Sequence, residues 1–216
     1  MKNKRISLGI AIVVAVISTI SAKASVLYST LGPNDEFDST NGYFVDGSNF
    51  NNQVIASPFT VSSTASLADV MVGLNNFGGN NSPINLFIAS NASGMPGSIL
   101  GSLTQAGTIP PFGSETLTMF TPDSSLTLLS GTTYWLVAQE TDSGTEQTWD
   151  FAFNDAVNGI AFNQLGSTTG PWTTFTGTDV AFRIDGQMGV PETGSSFLLL
   201  GIGGLGLAGF ARRRSR

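Results

Sequence analysis

Val180-Ala-Phe-Arg-Ile-Asp-Gly186 sets Val180, Phe182 and Ile184 at every second position, with Arg183 and Asp185 between them. Side chains leave a strand alternately on its two faces, so this period of two gives one face to a core and the other to water. The pattern recurs upstream in Ile84, Leu86 and Ile88, in Leu117 and Met119, and, after one offset, in Leu67, Val70, Val72 and Leu74. Gly, Pro, Asn and Ser punctuate the runs. Asn75-Asn-Phe-Gly-Gly-Asn-Asn81 and Ser93-Gly-Met-Pro-Gly97 read as the plainest turns. The expected strands are Gln53–Val61, Ser66–Leu74, Ile84–Ala89, Glu115–Thr121, Ser125–Leu129, Thr133–Gln139, Trp149–Asn154, Gly159–Gln164 and Val180–Gly186. No helical periodicity interrupts them. The pattern predicts one all-β domain over residues 25–188, a jelly-roll-like β-sandwich.

Charge is segregated along the chain. Of nine Lys and Arg residues, Lys2, Lys4, Arg5 and Lys23 lie at the front and Arg212, Arg213, Arg214 and Arg216 at the back. Arg183 alone lies between them, among all fifteen acidic residues from Asp35 to Glu192. A surface this anionic repels a phosphate backbone, which excludes nucleic acid as a partner. There is no Cys and no His. Disulfides, thiolate nucleophiles, Ser-His-Asp triads and His-based zinc sites are therefore excluded within this chain.

The two ends read as addresses. Met1 to Arg5 is basic, Leu8 to Ile20 is apolar, and Ala22-Lys23-Ala24 offers small residues where a signal peptidase reads them. Residues 1–24 are expected to be a signal peptide cleaved after Ala24. At the other end, residues 189–216 combine Val190-Pro191-Glu192, an apolar run Phe197 to Ala211 and the cations Arg212, Arg213 and Arg214. As a single helix the run reaches roughly 22 Å, short of a hydrocarbon core of about 30 Å. It is expected to enter the bilayer as a weak anchor, with the arginines acting as a stop-transfer cluster on the cytoplasmic side.

Val190-Pro191-Glu192, the Gly/Leu-rich segment and the Arg tail resemble the PEP-CTERM sorting signal of Gram-negative bacteria. That resemblance implies processing by an exosortase and a place at the cell surface or in the extracellular matrix. Thr193 stands where the family carries Pro, and Val190-Pro-Glu-Thr-Gly194 is also similar to the signal that sortases read in Gram-positive bacteria, so both routes stay open. Within the domain, Gln53-Val-Ile-Ala-Ser-Pro-Phe-Thr-Val61, Gly94-Met-Pro-Gly97, Leu128-Leu-Ser-Gly-Thr-Thr-Tyr-Trp-Leu-Val137 and Val180–Gly186 resemble the choice-of-anchor domains of bacterial surface proteins. This second resemblance implies a fold and a location, and no activity.

Three sets of residues are candidates for contact. Sugar-binding sandwiches stack aromatic faces on sugar rings, which singles out Trp135, Trp149, Tyr134, Phe175 and above all Trp172, set between turn signals. Arg183 is positioned to clamp a ligand carboxylate or to pair with one of the many acids. Asp35, Asp38 and Asp46 are candidate ligands for calcium, with Glu140, Asp142, Glu146 and Asp150 as a second acidic group; solvated loops are the competing reading for both. No other cofactor is expected. Paired-carboxylate hydrolysis stays formally open, although no pair stands out. The resulting expectation is a non-catalytic surface domain for polysaccharide, with a purely structural surface protein or a glycan hydrolase as alternatives.

Overall fold

The structure, a computed structural model, describes residues 24–153 and 157–188. The expected signal peptide before Ala24 and the sorting tail, with Val190, Pro191, Glu192 and the Arg cluster, lie outside the described residues. Among the described residues there is no α-helix, and none long and apolar enough to cross a membrane. The strands are β1 (Ala24–Ser29), β2 (Phe37–Asp46), β3 (Val54–Thr60), β4 (Ala65–Val72), β5 (Leu74–Gly79), β6 (Asn85–Ala92), β7 (Met95–Ala106), β8 (Thr118–Pro122), β9 (Thr127–Leu128), β10 (Thr133–Gln139), β11 (Thr145–Ala152), β12 (Val157–Asn163), β13 (Thr173–Thr178) and β14 (Phe182–Gln187). They form a large antiparallel sheet in the order β1-β14-β4-β8-β7-β6-β10-β3-β12-β13, with β9 beside β4, and a small one in the order β2-β11-β5.

Val45, Leu74 and Trp149 of the small sheet join Ile55, Phe59, Val70, Leu86, Ile88, Leu136, Phe182 and Ile184 of the large one in a single buried cluster. The inner faces of two sheets thus enclose one core, a β-sandwich. The large sheet also turns back on itself. Tyr28 of β1 lies 5.9 Å from Phe59 of β3, ring to ring, although seven steps of the sheet order separate their strands. The Ser62 N–H donates to the Leu27 carbonyl at the same closure.

The offset in the Leu67-Val70-Val72 pattern is a β-bulge. Leu67 pairs with Gly186 and Asp69 with Asp185, which leaves Ala68 as the extra residue and returns Val70 to the core face. The expected strand does not run on to Leu74, however. The chain leaves the large sheet at Gly73 and enters the small one. There the Gly73 N–H donates to the Ala181 carbonyl (2.9 Å), the Ala181 N–H to Asp150 (2.8 Å) and the Asp150 N–H back to Gly73 (2.9 Å). Three segments close a ring of backbone hydrogen bonds. A Cβ on Gly73 would meet Ala181 Cβ at 2.9 Å and the Phe37 ring at 3.0 Å.

Two expected turns also need correction. Asn75 to Asn81 is mostly strand β5, paired to β11 along its length. Its Asn and Gly residues follow from a polar interior rather than from a loop: Asn75 is fully buried and bonded to Asp150. In Ser93–Gly97 only Ser93-Gly94 turns. Both have positive φ, 56° and 84°, the two-residue loop that suits the twist of a hairpin, and Met95 already belongs to β7. Strands β1, β2, β7 and β13 went unrecognised because they are rich in Ser, Thr, Asn and Gly and carry little apolar alternation.

Gly73→Ala is expected to destabilise the domain by about 1–3 kcal/mol through overpacking, read as a fall of roughly 3–10 °C in Tm by circular dichroism. An unchanged Tm would remove the corner from the list of structural constraints.

Candidate functional site

An open cleft of about 330 Å³ lies where β2 of the small sheet meets β3, β12 and β13 of the large one, lined by Tyr43, Gln53, Ile55, Phe162, Gln164 and Phe175. That volume falls at the lower end of small-ligand sites, about 300–1,000 Å³. Three of the lining groups are aromatic, two are amides and none is charged. Strand pairing sets them there. Phe175 on β13 pairs with Ile160 of β12, and Phe162 pairs with Thr173. Tyr43 on β2 sits opposite Trp149.

The rings hold one another in edge-to-face geometry. Phe175 is 5.3 Å from Tyr43 at 82° and 5.6 Å from Phe162 at 65°, and Tyr43 is 4.8 Å from Phe151. Such contacts fix ring orientation before any ligand arrives. Gly177 makes the arrangement possible, because a Cβ there would collide with the Tyr43 hydroxyl and the Phe175 ring. The Gln53 amide is fixed too: its Nε2 donates to the Phe44 carbonyl (2.8 Å) and its backbone N–H to Asp46 Oδ1 (2.8 Å). Burial, and then the negative charge of Asp179, push the Tyr43 hydroxyl above its ordinary pKa, so it stays protonated and able to donate at neutral pH.

Of the residues singled out from the sequence, only Phe175 lines this cleft. Trp149 is core and donates to the Ala181 carbonyl; Trp135 and Tyr134 are also buried. Trp172 is half-buried on a second apolar cluster, with Val54, Ala56, Ala89, Trp135, Val137 and Ala161, on the far face of the large sheet. The loop before it is pinned by Asn163, whose Nδ2 donates to the Pro171 carbonyl (2.6 Å). Arg183 is held by Asp35 and by Asp185 (2.8 Å). Tyr43, Phe162 and Gln53 were missed because their signal is positional: they lie on β2, on β12 and just before β3, and only the pairing brings them together.

The acidic candidates are dispersed among internal bonds. Asp35 takes Arg183, Asp38 accepts from Thr40 and Asn41, and Asp46 accepts from Gln53 and Asn51. Among the described residues no three acidic side chains converge on a metal-sized site. Asp69 and Asp185 do meet across β4 and β14. Burial, and then Asp185, raise the Asp69 pKa, and the two carboxyls share a hydrogen bond. That is closer than the separation of about 5 Å or more at which carboxyl pairs cleave glycosides.

Glu140 and Asp150 are buried as well. Glu140 accepts the Thr141 and Asp142 N–H groups (2.8 Å each), and its burial lifts its pKa to about 7. Asp150 is fully buried, and burial, followed by the charge of Asp38, raises its pKa to about 9. Its Oδ2 accepts from Asn75 Nδ2 at 2.6 Å, while Asp150 Oδ1 and Asn75 Oδ1 are both buried and unpartnered among the described residues. A protonated Asp150 carboxyl carries a donor that the ionised form lacks, in a place where two buried acceptors have no partner among the described residues. Asp150 is therefore a neutral acid at neutral pH.

No protein-family model matches this chain, and no curated protein is similar to it in sequence.

The sign of the Asp150 effect is fixed. Its folded pKa lies above the unfolded value of 3.8, so the fold keeps a proton that the unfolded chain releases. Stability then falls as pH rises between the two values, by up to about 1.4 kcal/mol per pH unit. Asp150→Asn removes the titrating group at nearly constant volume and is expected to flatten the loss of Tm between pH 5 and pH 9. An equally steep loss in the variant would show that Asp150 is ionised in the fold.

Proposed function

We propose that this chain is an exported cell-surface or extracellular-matrix protein, processed at Val190-Pro191-Glu192, whose jelly-roll-like sandwich binds polysaccharide without cleaving it. The observation that carries the binding half is the cleft of Tyr43, Phe162 and Phe175 with the Gln53 and Gln164 amides. Aromatic faces stack on the C–H faces of sugar rings, and amides serve both as donors and as acceptors to hydroxyls. A cleft without ionised groups suits binding better than proton transfer.

The export half is supported by the segregated charge of the sequence and by where the ends leave the fold. Ala24 pairs with Gln187 on β1 and β14, so the expected cleavage point and the start of the tail emerge side by side. A chain carrying apolar segments at both extremities can then offer them to one membrane face without disturbing the sandwich. A purely structural surface protein is the second reading. It is favoured by Trp172, which packs against the sheet instead of standing free.

On a glycan array the full chain is expected to bind at least one polysaccharide class, with Tyr43→Ala and Phe175→Ala each weakening binding about tenfold, the worth of one stacked ring at roughly 1–1.5 kcal/mol. Gln164→Ala, on an exposed side chain, should weaken it without risk to the core. Binding that ignores all three changes would assign the ligand to another surface. Mass spectrometry of the protein recovered from its native cell is expected to find Ser25 as the first residue and the tail cut near Glu192. Intact ends at Met1 and Arg216 would overturn the export half.

A further inference from the structure

Resting on the carbohydrate reading of the cleft, we infer that its ligand is a glycan free of acidic groups, and that uronate- or sulfate-bearing chains are turned away. No charged side chain lines the cleft, and the groups beside it are acidic residues rather than cations. Asp46 is fastened to the backbone of Gln53, one of the lining residues (2.8 Å), and the buried Asp179 acts on the Tyr43 hydroxyl. Asp46 is buried and accepts two hydrogen bonds, so it keeps its place beside the cleft.

Among the described residues no cation is left over to supply the counter-charge that an acidic sugar needs. Arg183 is the single cation among the described residues, and both of its partners are carboxylates: Asp35 through Nη1 and Asp185 through Nε. Freeing it for a ligand would leave Asp185, which already shares a hydrogen bond with Asp69, facing a second carboxyl uncompensated. A uronate in the cleft would therefore find no lysine or arginine left among the described residues to offset its charge, while the Asp46 carboxyl stands one backbone hydrogen bond from Gln53. Hydroxyl-only sugars carry no such cost. They present ring faces to Phe175 and Tyr43 and hydroxyls to the two amides.

Calorimetric titration of the full chain, kept in a detergent without a sugar headgroup, separates the possibilities. The probes are neutral hexasaccharides (cellohexaose, laminarihexaose and maltohexaose) and hexamers of galacturonate and mannuronate. At about 20 mM salt at least one neutral hexamer is expected to bind about tenfold or more tighter than either uronate, and the gap to narrow in about 0.5 M salt as charge is screened. Gln164→Arg, which adds a cation at the rim on an exposed side chain, is expected to raise uronate affinity several-fold. Uronates that bind as tightly as neutral chains at low salt would overturn the selectivity and leave the carbohydrate reading standing. Absence of binding by every probe, together with no response of an array-identified glycan to Tyr43→Ala, would overturn both.

Discussion

The whole fold hangs on three backbone segments that meet at Gly73, Asp150 and Ala181. Each donates one N–H to the next and accepts one in return. The ring joins the β4–β5 corner, the middle strand of the small sheet and the entry to β14. In a chain without cysteine, no disulfide ties the two sheets together. Their attachment comes from this junction, from the shared core and from Trp149, whose indole N–H caps the Ala181 carbonyl from inside (3.2 Å). A backbone junction at that depth leaves no space for a side chain, and this is why the corner is glycine.

The same junction explains why a carboxyl is buried beside it. Asp150 belongs to the ring through its backbone, so its side chain has no choice of depth and faces Asn75 under the Ser39–Asn41 bulge of β2. Asn75 Nδ2 also reaches the Ser39 carbonyl (3.3 Å), and β2 skips from Gly42 to Asp38 in its pairing with β11. An ionised carboxylate in that place would leave oxygens unsatisfied in a low-dielectric interior. A protonated one brings a donor to that place. Polar residues in the small sheet thus act as interior residues, which inverts the usual reading of Asn and Asp as loop formers.

That inversion marks the limit of what the sequence disclosed. Where a strand had one greasy face, the pattern was legible: Thr133–Gln139 is the strand itself, and the offset after Leu67 is the bulge at Ala68. Where the buried face was polar, as in Leu74–Gly79, composition pointed to a turn, and where the strand lay at an edge, as in Thr173–Thr178, it gave no strand signal. The cleft was less legible still. Phe175 was noticed as an aromatic. Its partners Tyr43 and Phe162 lie more than a hundred residues apart, and local sequence carries no record that β2 and β12 approach each other. Trp172 was singled out for being between turn signals, but Asn163 ties that loop onto the outer apolar face of the sheet, so the ring packs there.

Net charge is a poor guide to the field inside the cleft, and the buried acids explain why. The formal count treats every carboxyl as ionised, but Asp150 keeps its proton at neutral pH, Glu140 titrates near 7, and Asp69 shares a hydrogen bond with Asp185 and is raised as well. The fold therefore carries less negative charge than its composition suggests, and what it sheds lies mostly in the interior. Asp38, hydrogen-bonded by Thr40 and Asn41, is instead held below the ordinary carboxylate range and remains ionised. Asp46 is held in place by Gln53 and Asn51, so the surroundings of the aromatic rings depend on a few positioned side chains and not on the sum over the chain.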